Sequence, residues 1–405
     1  VLLTFGLLTG FLGAGYGVLF TMLDDFRDEY GIGEGALGAI IAIGFFSGFL
    51  AQILIAPYAD RGHARHLVLG GMLMNVAGLL LMAAATAFVP LLLGRLVMGI
   101  GVGMAMPAVR RIVILSDPPN LGHNLGRLLA IDVAGFAAGP AVSAVLVGPF
   151  GIPAPFLVIA AATLAVLPFV WRTHVNETAV ADRPQRFAFD LFRIRPFAGA
   201  VCMGAAVFLM IGAFDALWAV VLDDFGTSEW ISNLGISLFA LPLVLLGAFG
   251  GRLAQRVGPF KVATVGLLLG AVFMFLYGQV PSGAAMFAVA MFHAVSDGMT
   301  VSSTGVAVGL SVPAHRQAGA QGVLGGAQTL TAGLTALATG FLYEEFGRAA
   351  AYSVAAGAMV VLVVTGALLA GSAWSRTAGA TAGMPADPAP GGAPMTDPAP
   401  APSGG

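Results

Sequence analysis

Residues 56–66 read APYADRGHARH, a short run of charge between two apolar stretches at 35–57 and 67–88. The flanks decide the fold. Each is about 20 residues of nearly uninterrupted apolar sequence, the length of helix needed to cross a bilayer's hydrocarbon core. The polar run between them is too short for a domain. It reads as a turn at the membrane surface that returns the chain for a second crossing.

Working outward, the same alternation recurs. Apolar runs fall at approximately 1–22, 35–57, 67–88, 91–113, 126–147, 154–171, 197–222, 231–251, 261–280, 284–311, 319–342 and 350–371. The chain is 58% hydrophobic and 9% charged, with a mean hydropathy of +0.92. A water-facing surface needs about a quarter charged residues, so lipid is the solvent here. The expected class is an all-α integral membrane protein of twelve transmembrane helices. Most connections are short Pro/Gly turns or basic loops. The longest internal polar segment, 172–196, separates a six-helix half at 1–171 from another at 197–371. Beyond it, 372–405 is Ala/Pro/Gly-rich and reads as a disordered tail. The apolar opening at Val1 has no basic flank, and a short preceding segment is the expectation.

Basic residues orient the chain. With the N-terminus inside, fifteen of the eighteen Lys/Arg fall on the cytoplasmic side: Arg61, Arg65, Arg110, Arg111, Arg127, Arg172, Arg183, Arg186, Arg193, Arg195, Arg252, Arg256, Lys261, Arg316 and Arg376. Arg27 and Arg348 fall outside, and Arg95 lies within a span. This follows the positive-inside tendency and puts both termini in the cytoplasm of a bacterial-type inner membrane. The outer loops are acidic: DDFRDEYGIGE, LDDFGTSEW and YEEFGR.

The two halves echo each other. SDPP at 116–119 precedes SVPA at 311–314 by 195 residues, as Gly103-Met104 precedes Gly298-Met299 and Asp60-Arg61 precedes Gln255-Arg256. LDDF recurs at 23–26 and 222–225, an offset of 199. Four echoes in one order, across a central polar loop, predict two six-helix parallel pseudo-repeats.

Three motifs bear a family resemblance. APYADRGHARH resembles the major facilitator loop signature G-x-x-x-D-R-x-G-R-R, with Asp60, Arg61 and Arg65 on its charged positions. Ala56, His63 and Ala64 depart from it. GRLVMGIGVGMAMP at 94–107 resembles the fourth-helix signature R-x-x-x-G-x-G. GFAAGPAVSA at 135–144 resembles the fifth-helix G-x-x-x-G-P-x-x-G-G of proton-driven antiporters, with Ser143 and Ala144 as its closing residues. The resemblance spans about 1–371 and is nearest the twelve-helix drug:proton antiporter and metabolite exporter branch.

That resemblance implies export of a small organic molecule by proton-coupled antiport with alternating access; import by a symporter or facilitator is the alternative. It places the Asp60 loop against the start of the eleventh span near Gly319–Gln321, with Arg110 or Arg111 as the ion partner, forming a latch. It places the Gly135, Gly139 and Pro140 face between the halves, and spans 1, 4, 7 and 10 around a central cavity.

Ionisable residues inside spans are functional candidates. They are Arg95, Asp132, Asp215, His293 and Asp297. His293 and Asp297 share a helix face at i and i+4, where an imidazole and a carboxylate could exchange a proton. Phe46, Met106, Phe208, Met210, Trp218 and Phe239 are candidates for an apolar binding surface.

Enzyme chemistry finds little support. The one cysteine, Cys202, cannot form an internal disulfide, and the six histidines lack ligand spacing. There is no H-E-x-x-H or G-x-S-x-G motif. No catalytic residue, metal or cofactor is expected. The expected partners are a small-molecule substrate, protons and the lipid bilayer, with no nucleic acid, and the expected state is a monomer.

Overall fold

The computed structural model describes residues 1–175 and 187–375, and every regular element among them is helical. Segments 176–186 and 376–405 lie outside the described residues. With them lie Arg183, Arg186, Arg376 and the tail beyond Ser375.

The first half contains α1 (Leu2–Thr21), α2 (Leu23–Tyr30), α3 (Glu34–Leu54), α4 (Ala64–Ala84), α5 (Phe88–Ser116), α6 (Leu121–Phe150) and α7 (Pro153–Arg172). The second contains α8 (Arg195–Asp224), α9 (Glu229–Val257), α10 (Pro259–Gln279), α11 (Gly283–Thr300), α12 (Ser302–Ser311) and α13 (Gln317–Ala370). Backbone hydrogen bonds satisfied within each segment are what lipid demands.

Eleven of these stretches are long and apolar enough to cross a membrane. The last, Ala314–Trp374, runs 61 residues and holds the two final expected spans. They are folded apart at Gly347, whose φ of 80° only glycine adopts readily. Twelve crossings result. The helix continues through the acidic YEEF run to Phe346, where a loop was expected.

Three further details differ from expectation. The tenth span is divided into α11 and α12 at Val301, where Thr300 Oγ1 donates to the Ser296 carbonyl at 2.8 Å; such back-bonding bends helices. The acidic stretch after α1 is not all loop. Leu23–Tyr30 forms α2, held by the fully buried Phe26 ring stacked on Phe156 at 6.2 Å. Residues 372–375, expected to belong to the tail, are structured. Gly371–Ser375 form a 3-10 turn, with Trp374 Nε1 donating to Thr264 Oγ1 at 3.4 Å and Lys261 over its ring at 5.3 Å.

Small residues set the packing, as expected where no hydrophobic force drives helices together. In the first half α1 packs on α6, α3 on α5 and α4 on α5. In the second, α8 and α10 pack on α13, and α9 on α11. The halves meet through two seams, α6 against α9 and α3 against α13. Both seams cluster at one end of the molecule, the end bearing Arg61, Arg111, Arg256 and Arg316, here called the basic end. There Gly122 and Gly126 lie against the backbone of Gly251 and Gly247. Gly322 lies against Gln52, and Gly326 against Ile53. Toward the acidic end the seams part. Val145 and Phe150 of α6, and Leu334 and Leu337 of α13, are exposed.

Candidate gating and transport site

The 3-10 turn Ala56–Arg61 delivers Asp60 to the start of α13 in the other half. Asp60 is 2% exposed and its carboxylate is saturated. Oδ1 accepts from Arg111 Nε at 3.1 Å and from the Ala318 amide at 2.9 Å; Oδ2 accepts from the Gly319 amide at 2.7 Å. The first amides of a helix have no partner in the helix itself and carry the positive end of its dipole. An anion is the natural occupant. Gly319 leaves room for it, since a methyl there would sit 3.4 Å from Oδ2 and 2.9 Å from Ala188.

Arg111, 1% exposed, is the ion partner, and Arg110 is not. Arg110 instead is the basic group whose charge bears on Asp132. Both are half-buried. Arg61 lies over the Tyr58 ring at 5.2 Å. Arg65 reaches sideways: its Nη2 donates to the carbonyls of Trp171 and Thr173 at 2.7 and 2.6 Å, fastening α4 to the end of α7.

Sequence reasoning missed two participants at this end. Gln255 of α9 receives the Gly122 amide on Oε1 at 2.7 Å and donates through Nε2 to the Pro119 carbonyl at 2.9 Å. It thus seals the start of α6 from the other half, as Asp60 seals α13. Its offset of 195 from Asp60 was the available signal. Arg316 forms a bidentate pair with Asp190, Nη1 to Oδ2 at 2.8 Å and Nη2 to Oδ1 at 2.6 Å. That pair ties the central segment to the foot of α13. The hydrogen bonds from Arg316 hold the Asp190 carboxyl below the usual carboxylate range.

The fifth-helix motif lies elsewhere than expected. Gly135 and Gly139 face α1 of their own half, not the seam between halves. A methyl at Gly135 would collide with the Gly10 backbone, and one at Gly139 with Gly17 and Val18. Thr21 Oγ1 donates to Ser143 Oγ at 3.0 Å beside them. Asp132 lies in the same seam against Gly13. Glycine spacing shows that a helix approaches closely; it does not name the helix.

In α11, His293 and Asp297 are buried at 0% and 2% exposure, inside the second half rather than on its surface. His293 Nε2 stands 3.5 Å from Asp297 Oδ1 and 3.0 Å from Met210 Sδ. His293 Nδ1 pairs with the Tyr277 hydroxyl at 2.8 Å. Tyr277 in turn packs on Tyr352, ring centroids 5.6 Å apart, and the rings of Phe239 and Phe273 flank the imidazole. The result is a polar thread through an apolar bundle, crossing α8, α10, α11 and α13. Asp215 of α8, by contrast, is exposed.

Arg95 of α5 is fully buried. Its guanidinium lies over the Tyr16 ring at 4.0 Å and beside Phe45 at 5.7 Å. Of the apolar candidates, Met210 and Trp218 are core and Phe46 is 55% exposed. Met106, Phe208 and Phe239 are partly buried against the cores. Among the described residues no group of His, Cys, Asp and Glu could hold a metal ion.

Comparisons with known proteins agree with this architecture. The chain is 25% identical over 340 residues to the tetracycline resistance protein, class E, of Escherichia coli, covering 81% of this chain and 83% of that one. It is 25% identical over 275 residues to a multi-drug resistance efflux pump PmrA homolog of Lactococcus lactis, covering 64% and 67%. The crystal structure of the human organic anion transporter MFSD10 superposes with a TM-score of 0.73 over 90% of this chain and 98% of that one. At 16% identity that likeness bears on the fold alone. The family model described as Major Facilitator Superfamily matches residues 5–222 and again 198–390. Twelve crossings in two six-helix halves, latched through an acid-basic loop at one end, are thus those of a transport protein, and the chain belongs to the Major Facilitator Superfamily.

Proposed function

We propose that the protein exports a small organic molecule across the inner membrane in exchange for protons. Residues 1–171 and 197–371 act as the two moving halves of a monomer, joined by 172–196. The observation that carries this reading is the buried Asp60–Arg111 latch on the first amides of α13, with both seams gathered at the same end. The arginine-rich end faces the cytoplasm by the charge rule. The conformation is therefore closed inward and open outward, one of the two states that alternating access requires.

Relatives named for tetracycline resistance and multidrug efflux support the outward direction. Coupling needs a group that changes charge between states. Asp297 with His293, Asp215 exposed on α8, and Asp132 facing Arg110 are the acids that supply it. The membrane potential adds about 2.3 kcal/mol per charge per 100 mV.

The test is flux in vesicles holding the purified chain under an imposed proton gradient, with tetracycline among the compounds screened. Gradient-driven export that Asp297→Asn or Asp215→Asn uncouples is the expected result. Accumulation in the importing sense, or no proton movement with any compound, would overturn the reading.

A further inference from the structure

Arg95 poses a question that the latch and the acids leave unanswered. Its side chain is 0% exposed, yet none of its three guanidinium nitrogens has a hydrogen-bond partner among the described residues. The polar side chain that bears on it is Tyr16, which carries no formal charge, and a buried charge without a counter-charge is strongly unfavourable. The first half offers no intrahelical acid on α1 to meet it; α1 reads LLTFGLLTGFLGAGYGVLFT. The fold nonetheless makes room for the group. Gly44 of α3 lies so close that a methyl there would overlap Nε. Tyr16 covers one face of the guanidinium plane. Stacking occupies the face and leaves the N–H edge, the donor fork that fits a planar oxyanion.

A row of rings leads away from this group. Phe45 packs on Tyr16 at 6.3 Å, Phe20 on Phe45 at 6.4 Å, and Phe136 on Phe20 at 5.9 Å. Tyr16, Phe45 and Phe20 are half-buried and Phe136 is 37% exposed. The row thus runs from an exposed ring on α6 to a covered cation on α5. Apolar at one end and cationic at the other, it has the polarity of a site for an amphiphile with a negatively charged end.

We propose that Arg95 receives the anionic group of the transported molecule, and that the substrate class is an aromatic or similarly apolar organic carboxylate. This rests on the transport reading above and names its cargo. Tyr16 and Phe45 cover the guanidinium in the outward-open conformation, so the anion enters as these rings part. An anionic cargo also suits export, since an interior-negative potential drives an anion outward and a proton inward together.

The experiment is equilibrium binding to the full chain in lipid nanodiscs, with no gradient. The probes are benzoate, salicylate and 1-naphthoate, each against its neutral amide. Carboxylates are expected to bind at least about tenfold tighter than amides, as charge-assisted hydrogen bonds imply. Arg95→Gln removes that preference. Arg95→Lys, which keeps the charge but loses the planar fork, binds carboxylates more weakly than the native chain, and serves if the glutamine variant does not fold. Equal binding of amides, binding of no carboxylate, or a preference that survives both variants overturns the proposal. The two readings fail separately. Proton-coupled flux of neutral compounds without carboxylate preference sinks the anion site alone, whereas a carboxylate that binds at Arg95 but never moves a proton sinks the antiport reading alone.

Discussion

Asp60 and Gln255, 195 positions apart in the repeat, each reach across to the start of a long helix in the opposite half, Asp60 accepting from two amides of α13 and Gln255 from one of α6. The placement is alike and the chemistry is not. Asp60 brings a charge and a buried arginine, while Gln255 brings a neutral amide. The first contact therefore contributes more to closing the basic end, and its removal is the larger perturbation.

Replacing Asp60 with Asn leaves Arg111 buried without a counter-charge and turns donors toward donors at α13. Loss of a paired buried charge costs about 3–5 kcal/mol. The population should shift toward a basic end that is open, read as a longer spin-label distance between the ends of α3 and α13. Gln255→Ala removes neutral hydrogen bonds worth about 1 kcal/mol each. Its shift should be the smaller, and a larger one than Asp60→Asn gives would refute the asymmetry.

The glycine seams separate two effects. Gly122→Ala places a methyl against the Gly251 backbone, between halves. Gly135→Ala places one against Gly10, within a half. Overpacking costs about 1–3 kcal/mol in each case. The first should open the basic end and leave the melting temperature nearly unchanged. The second should lower the melting temperature by several degrees. Identical behaviour of the two would contradict the placement of these seams.

The Asp190–Arg316 pair predicts a pH dependence of stability. Its carboxyl is held below the ordinary range, so the pair's contribution is present above the unfolded value of about 3.9 and is lost as pH falls through the lower, folded value. Partly exposed ion pairs contribute no more than about 1 kcal/mol. Asp190→Asn should melt slightly below the native protein at pH 7, and the two curves should converge in acid below both values. A gap that persists there would mean the pair is not the cause. Between pH 5 and 8 the contribution is constant, so any change in transport over that range arises elsewhere.

Tyr277→Phe tests the polar thread. It removes the hydroxyl at 2.8 Å from His293 Nδ1 and leaves a buried ring nitrogen unmatched, at a cost of about 1–3 kcal/mol. If His293 and Asp297 exchange the coupling proton, proton-driven flux should fall at least about tenfold. Substrate exchange without a gradient should persist. Unchanged coupling would reduce the thread to a packing element.

Much of this architecture was legible in the order of residues. Hydropathy gave the crossings because lipid permits few alternatives to the helix. The offset between Asp60-Arg61 and Gln255-Arg256 gave the halves. Other relations were not legible, for definite reasons. Arg110 and Arg111 differ by 100° about a helix axis, and only the axis position decides which meets Asp60. Gly135 announces close packing without naming a partner. Gly122 and Gly126 have the same four-residue spacing and the between-half contact that Gly135 lacks. The row from Arg95 to Phe136 joins residues on α1, α3, α5 and α6 that no linear motif connects. Aromatic character alone did not single out Tyr16, Phe20 or Phe45 among the chain's rings.

Gly347, the residue that breaks helical geometry inside α13, has a mechanical consequence. Residues 317–346 form an uninterrupted rod of about 45 Å, at 1.5 Å per residue. Its foot is clamped by Asp60 and its far end stops at a single swivel. Beyond that swivel, 348–370 is anchored to α10 through Tyr352 and to α8 through Gly366. The rod too lies on α8, with Gly212 against the Ala332 backbone and Gly204 against Leu324, so releasing the carboxylate at one surface frees rod and anchored arm together, and the second half turns as one body.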